Sequence, residues 1–241
     1  MNTGKAKAFW AFLVLLTSWR GGKGRNMMLD YSGCRHEMVH FLPHTACKSV
    51  LEIGCGLGGF RNYLPTTCEY WGVDPHAPSQ SSSSCQSNKV MFLTGTYEEV
   101  CQKIPNRFFD LVICNDVIEH MAKPEQFLES IKAKLSDGGV IIGSIPNVRH
   151  LRILGQILLY KDWHYTDWGI LDRTHLRFFT MKSFRRMVVQ AGYEIVTLKG
   201  LYKGKFTGVY KYLFWLQFIP ALFLGFDTPY SQFGFSIKPV K

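Results

Sequence analysis

Short, mostly apolar runs with strand character recur from residue 49 onward: Ser49–Ile53, Tyr70–Val73, Val90–Leu93, Leu111–Cys114 and Val140–Ile145. Helical or polar stretches separate them. Continuous apolar strands are buried on both faces, so the pattern predicts a parallel sheet with crossover connections. Between the fourth and fifth runs, Pro124–Leu135 places Phe127, Leu128, Ile131 and Leu135 on one helical face. Proline sits in its first turn and Asp137-Gly138-Gly139 reads as its stop. A second helix is predicted over Lys182–Ala191, with Thr180 as cap, Phe184, Met187, Val188 and Ala191 as apolar face, and Gly192 as stop. Strands at Tyr193–Leu198 and Phe233–Ile237 complete the alternation.

Two apolar segments stand apart from it. Phe9–Trp19 lies between lysines and an Arg/Gly/Lys loop and resembles a signal peptide, but no small-x-small cleavage site follows. It is shorter than the ~20 residues a spanning helix needs and reads as an interfacial or packing helix, or as sequence upstream of a start at Met27 or Met28. Tyr210–Phe226 reads as an apolar helix broken near Pro220 that packs on the core, another subunit or a membrane surface. Pro78–Asn88 is a polar surface loop. The expected organisation is an apolar and basic extension over residues 1–30 and one principal domain over 31–241. That domain carries a lid insertion at 147–179 and an apolar helical insertion at 203–226.

Composition narrows the classes. With 241 residues, 46% of them hydrophobic, the chain can bury a large core and is unlike a disordered one. Seven cysteines are scattered singly with no CxxC pair, which suits a reducing, cytoplasmic setting and offers neither a disulfide framework nor metal-ligand spacing. No metal site is expected. The net charge of +10 is uneven: residues 1–48 hold seven Lys/Arg against two Asp/Glu, 49–148 seven against eleven, and 149–241 fourteen against five. Basic flanks around an acidic middle attract anions, among them acidic headgroups at the inner face of a membrane and anionic small molecules. Nucleic acid is disfavoured, because the basic residues carry no base-reading motif.

Candidate chemistry begins at Val50–Phe60, "VLEIGCGLGGF". Glycines behind a strand let the backbone approach a ligand and expose its amides. Gly54, Gly56 and Gly59 satisfy G-x-G-x-x-G, with Asp74 where a ribose-binding acid belongs, which taken alone permits a nicotinamide or flavin dinucleotide. Gly54, Gly56 and Gly58 equally satisfy E-x-G-x-G-x-G, in which Glu52 leads. A pyrophosphate would meet that carboxylate with the wrong sign, whereas the ammonium and sulfonium of S-adenosylmethionine would be attracted to it.

The pieces "LEIGCGLGGF", "YWGVDP", "FDLVICNDVIEHM", "LSDGGVIIGSIPN" and "GILDRTHLRFFT" occur in that order over about residues 31 to 200. In this the chain resembles the class I methyltransferase family, in the bacterial branch that includes ubiquinone-biosynthesis O-methyltransferases and enzymes of surface-glycan precursors. The resemblance implies a Rossmann-like α/β fold: a seven-stranded, mostly parallel sheet with helices on both faces and a C-terminal antiparallel strand. It also implies S-adenosyl-L-methionine as cofactor. Glu52, Gly54, Gly56 and Gly58 would form the cofactor loop, Asp74 would take the ribose hydroxyls, and Asn115 and Asp116 would line the methionine and sulfonium side. "LTGTYEEV" lacks the acid that many relatives use for the adenine amine, so Thr96 or Tyr97 would serve there.

Methyl transfer to a hydroxyl needs alignment, exclusion of water and removal of a proton. His120 and His175 are the candidate catalytic bases. His164, Tyr165, Arg173 and Arg177, in the lid, are candidate acceptor contacts, the aromatic group flanking an acceptor and the arginines holding an anionic part of it. The expected function is S-adenosylmethionine-dependent O-methylation of a small, glycan-precursor or lipid-linked acceptor, compatible with peripheral membrane contact. The competing readings are a nicotinamide-dependent oxidoreductase and a non-catalytic, membrane-associated binding module on the same fold.

Overall fold

The computed structural model describes residues 35–45, 47–78, 89–203 and 222–240. The segment 9–19, most of 210–226 and all but the first residue of the loop 78–88 lie outside the described residues. Seven strands form one sheet: β1 Ser49–Ile53, β2 Glu69–Asp74, β3 Val90–Thr94, β4 Phe109–Asn115, β5 Leu135–Pro146, β6 Tyr193–Lys203 and β7 Tyr230–Pro239. Their order is β3-β2-β1-β4-β5-β7-β6. The first five are parallel to one another, and β7 runs antiparallel between β5 and β6. The helices are α1 Tyr97–Val100, α2 Pro124–Lys134, α3 Leu151–Tyr160 and α4 Met181–Gln190.

Alternation along the central strands divides the core into two layers. Leu51, Ile53, Val112 and Cys114 face one side, where they meet Phe127, Leu128 and Ile131 of α2 and Phe184 and Val188 of α4. Val50, Leu111, Ile113 and Ile142 face the other and meet Met38, Phe41 and Phe60. On this second side the described residues contribute the 3-10 turns His36–Phe41 and Gly59–Tyr63. Phe184 lies 4.7 Å from Phe235 and 5.5 Å from Phe233, so α4 fastens β7 into the sheet through aromatic contact.

Two boundaries differ from the periodicity. Leu135, which the apolar stripe assigns to the helix, has extended backbone and opens β5 by pairing with Phe109. It is buried either way, so hydrophobicity could not decide between the two states. A register shift between Phe109 and Leu111 then carries the strand past Asp137-Gly138-Gly139. The lid span begins and ends at one place, because Asn147 bridges Phe179 and the Val148 amide donates to the Phe179 carbonyl at 3.1 Å. Inside it lies α3, hidden in the sequence because "LRILGQILLY" has few polar positions to mark a face.

Candidate active site

In this order β1 lies between β2 and β4, so the chain crosses to opposite sides of β1 and opens a crevice at the strands' carboxyl ends. Register fixes what meets there: Ile53 is level with Val73 and with Cys114, which places Gly54, Asp74 and Asn115 around one point. Gly54 (φ +71°) and Gly58 (φ +80°) have left-handed backbone. A Cβ on Gly54 would come 2.7 Å from Val117 Cγ2, and one on Gly58 2.9 Å from the Phe92 ring. The turn is pinned from β2. Gly54 and Cys55 donate to the Val73 carbonyl at 2.8 and 3.2 Å, and the Gly56 amide donates to Asp74 Oδ2 at 2.9 Å. Asp74 Oδ1 accepts the His76 amide at 2.7 Å. The glycines lead into one 3-10 turn rather than a long helix, so any anchoring here comes from single amides and carboxylates.

Glu52 is buried beneath this turn, on the Val50 side of β1. No Lys or Arg pairs with it among the described residues; the Tyr70 hydroxyl donates to its Oε2 at 2.5 Å. Burial pushes its carboxyl up to about 8, with the Tyr70 hydrogen bond opposing and Asp74 adding to the rise. At the tip of β4, both polar atoms of the Asn115 amide are buried without a partner among the described residues. Asp116 follows with φ +53° and turns its carboxylate away, accepting from Ser144 Oγ at 2.9 Å, from Gln232 Nε2 at 3.1 Å and from Arg35. Arg35 also donates to Glu37 at 2.6 Å, Ser144 at 3.0 Å and Gln232 at 2.9 Å.

Thr96 and Tyr97 divide the end of β3 between them. Thr96 caps α1 in a reciprocal pair with Glu99 and is exposed. Tyr97 is buried, with its ring 5.2 Å from Phe127 and its hydroxyl 2.7 Å from Ser130 Oγ. That ring supports the core beneath the crevice.

After β4 a 3-10 turn, Ile118–His120, presents His120 and buries Glu119. The Glu119 carbonyl accepts the amides of Leu176 and Arg177 at 2.8 and 2.9 Å, which draws the lid segment onto the turn. His120 and His175 thereby meet edge to face, ring centroids 4.8 Å apart. Their Nδ1 atoms face backbone carbonyls, His120 at Thr174 (3.2 Å) and His175 at Ile170 (3.1 Å). A carbonyl can only accept, so each Nδ1 carries the hydrogen, and in a neutral ring the lone pair is then on Nε2.

A cavity of about 490 Å³ adjoins this edge, lined by Tyr165, Arg173, His175, Leu176 and Phe178. Trp163 extends its aromatic wall, 5.0 Å from Phe178. Arg173 pairs with Asp167 at 2.9 Å, and Arg177 donates to the Ala122 carbonyl at 2.5 Å. His164 is exposed and does not line the cavity.

A family described as a methyltransferase domain matches residues 30–198, which include the glycine turn, β1 to β5, the histidine edge and α4. The chain belongs to this methyltransferase family. Among relatives, the ubiquinone biosynthesis O-methyltransferase of Rickettsia akari is 26% identical over 171 residues, covering 68% of this chain and 65% of that one. The enzyme of the same name from Rickettsia canadensis is 28% identical over 162 residues, covering 63% and 65%. The chain thus spans about two thirds of the length of the curated relatives it matches. Among solved structures, a SAM-dependent methyltransferase from Archaeoglobus fulgidus shares the fold at TM-score 0.54 and 18% identity, covering 94% of this chain and 99% of that one. A Burkholderia thailandensis 1,6-didemethyltoxoflavin-N1-methyltransferase, solved with 1,6-didemethyltoxoflavin and S-adenosylhomocysteine, does so at 0.58 and 14%, covering 97% and 90%.

Of the site residues expected from the sequence, the fold brings Gly54, Gly56, Gly58, Asp74 and Asn115 to the crevice, Glu52 beneath it, and His120, His175, Tyr165 and Arg173 to the cavity side. Arg35 and Glu119 were not singled out. Arg35 precedes β1 by an unpatterned stretch, while Glu119 carried a readable signal, a carboxylate between Ile118 and His120 on a buried turn.

Proposed function

We propose that this methyltransferase uses S-adenosylmethionine to methylate a hydroxyl of a small acceptor. The observation that carries the reading is the Asn115 amide, buried and unpartnered among the described residues beside a glycine turn that has no room for side chains. A buried amide left without partners costs about 1–3 kcal/mol, so a polar ligand at that point is favoured. The donor set fits the cofactor: Asp74 offers a carboxylate to vicinal hydroxyls, Asn115 both a donor and an acceptor, and Glu52 a carboxyl below the turn that a cation would return to its charged form. Bound there, S-adenosylmethionine supplies an activated methyl group. The exposed Thr96 lies at the end of β3, where an adenine edge would reach, and Asp116 acts indirectly by shaping the β4 tip.

The acceptor would enter the cavity beside His175, its apolar part against Tyr165 and Phe178. Nε2 of His120 or His175 is the proposed destination of the hydroxyl proton. Relatives named as O-methyltransferases support oxygen as the methylated atom. Arg173 would hold an anionic group of the acceptor on leaving Asp167. A lipid-linked acceptor would need contact at a membrane surface, since no helix among the described residues is long and apolar enough to cross one. A nicotinamide dinucleotide is disfavoured by Glu52 under the turn and by the antiparallel β7 within the sheet.

Isothermal titration of the full chain with S-adenosylhomocysteine should give one equivalent bound, and titration with NADH no heat of binding. Binding of NADH but not of S-adenosylhomocysteine would overturn the reading.

A further inference from the structure

The lid loop 166–175 closes on itself and carries the acceptors that both histidines face. Thr166 bridges Asp172, the Thr166 amide donates to the Leu171 carbonyl at 2.9 Å, and the Arg173 amide returns to the Thr166 carbonyl at 3.0 Å. His175 Nδ1 faces the carbonyl of Ile170, and His120 Nδ1 that of Thr174. A ring nitrogen facing a carbonyl carries the hydrogen, so this loop sets the neutral tautomer of both rings.

The two carbonyls are held differently. Ile170 lies inside the closed part, between Leu171 and Gly169, whose carbonyl accepts the Asp172 amide at 3.2 Å. Thr174 lies beyond the closure and is exposed. Its amide and its hydroxyl both donate to one atom, Asp172 Oδ1, at 2.8 and 2.7 Å, an arrangement in which a side chain takes the place of a backbone turn. The next amide, of His175, donates to the Asp172 carbonyl at 3.1 Å. Partial burial would raise the Asp172 carboxyl, but the two Thr174 bonds, with His175 and His120 nearby, outweigh it and hold the group below the ordinary carboxylate range. Asp172 is therefore an ionised acceptor, and charged acceptors make the stronger hydrogen bonds.

We propose that Asp172 is a positioning residue for the reaction: through Thr174 it holds the carbonyl that keeps His120 with its hydrogen on Nδ1 and its lone pair on Nε2. His120 is exposed, so packing alone does not fix its ring. A free neutral histidine side chain favours hydrogen on Nε2, the opposite state. Asp172 does not line the cavity, so it acts through Thr174 rather than on the acceptor.

The consequence for chemistry rests on the proposed O-methylation. When the O–H bond of the acceptor breaks, the electron pair stays on oxygen and the proton needs a lone pair on an imidazole. At His120 that lone pair is on Nε2 only while Nδ1–H stays bonded to the Thr174 carbonyl. A base oriented in advance by a supporting group does not have to be ordered during the reaction.

The test is nuclear magnetic resonance of the full chain labelled with ¹⁵N-histidine, at about pH 8.5, above the ordinary histidine value, where neutral rings dominate. Ring signals are assigned by their loss in His120→Gln and His175→Gln. Both rings of the wild type should show Nδ1–H. Asp172→Ala should turn half or more of His120 to Nε2–H and leave His175 unchanged, because the Ile170 carbonyl is held within the closed part of the loop. Asp172→Asn, whose amide oxygen still accepts from Thr174, should restore the wild-type pattern. Thr174→Ala, which loses only the hydroxyl, should shift His120 in the same direction and by less, and it decides the matter if circular dichroism shows Asp172→Ala unfolded. A merely structural role would move both rings or neither. Nε2–H at His120 in the wild type, an unmoved His120 in the alanine variants, a joint change of both rings, or no restoration by asparagine overturns the proposal. S-adenosylhomocysteine binding, measured alongside, keeps the two readings separable: the expected tautomers without binding leave the role of Asp172 in the loop standing and remove the proposed function, and binding without the expected tautomers removes only the role of Asp172.

Discussion

Glu52 carries two opposite demands. Its position under the glycine turn suits a positively charged ligand, yet its burial favours the neutral acid, with the pKa raised from 4.5 to about 8. Tyr70 relieves the conflict in part by donating to Oε2. The folded state therefore holds a proton that the unfolded chain releases near 4.5. The stability this confers is whole below that value and is lost as pH rises toward about 8, because the folded state binds more protons throughout the window. The slope for one proton is at most about 1.4 kcal/mol per pH unit. Urea midpoints at pH 6 and pH 8 should fall by less in Glu52→Gln than in wild type, since glutamine keeps the Tyr70 hydrogen bond and cannot ionise. Equal falls in both proteins would mean that Glu52 stays charged in the fold.

At the scale of elements, α4 shows how local chemistry and packing agree. Thr180 accepts the Ser183 amide at 3.0 Å while Ser183 Oγ accepts the Thr180 amide at 2.9 Å, and the helix so started buries Phe184, Met187 and Val188 against the sheet. Thr180→Ala should lower unfolding stability by about 1 kcal/mol in guanidinium titration, with the transition still a single step. No change would show that Phe184 alone sets where the helix begins. Elements of this kind were legible in advance: β1 lies where the apolar run puts it, and α4 where cap and stripe put it. Leu135 was not, because a buried position serves helix and strand equally, and α3 was not, because its sequence is apolar on several sides. The site divides the same way. The glycine turn and Asp74 are local in sequence and readable, whereas the contact of Glu119 and His120 with His175 exists only after the lid has folded back, and no spacing encodes it.

Arg35 works at the scale of the whole molecule. From the first described turn it reaches the tip of β4 through Asp116, β5 through Ser144 and β7 through Gln232, so a single guanidinium joins the start of the described chain to its last strand across the sheet's carboxyl edge. Burial would lower its pKa, but Asp116 and Glu37 more than reverse that and hold the charge. The same turn is also held by apolar packing of Met38 and Phe41, and the two contributions can be separated. In Arg35→Ala, Asp116 keeps its bonds to Ser144 and Gln232, the strands keep their register, and only the link to residues 36–41 is cut. The loss is expected to be about 2 kcal/mol, since charged hydrogen bonds disappear from a half-buried site. Hydrogen exchange should then quicken at the amides of Met38 and Leu42, which bond within this turn, while those of β1 and β4 hold their protection. If Met38 and Leu42 stay as protected as before, the turn is held without the guanidinium, by the burial of Met38 and Phe41 and the hydrogen bond of Glu37 with Tyr202, and Arg35 serves only to keep Asp116 turned away from the crevice.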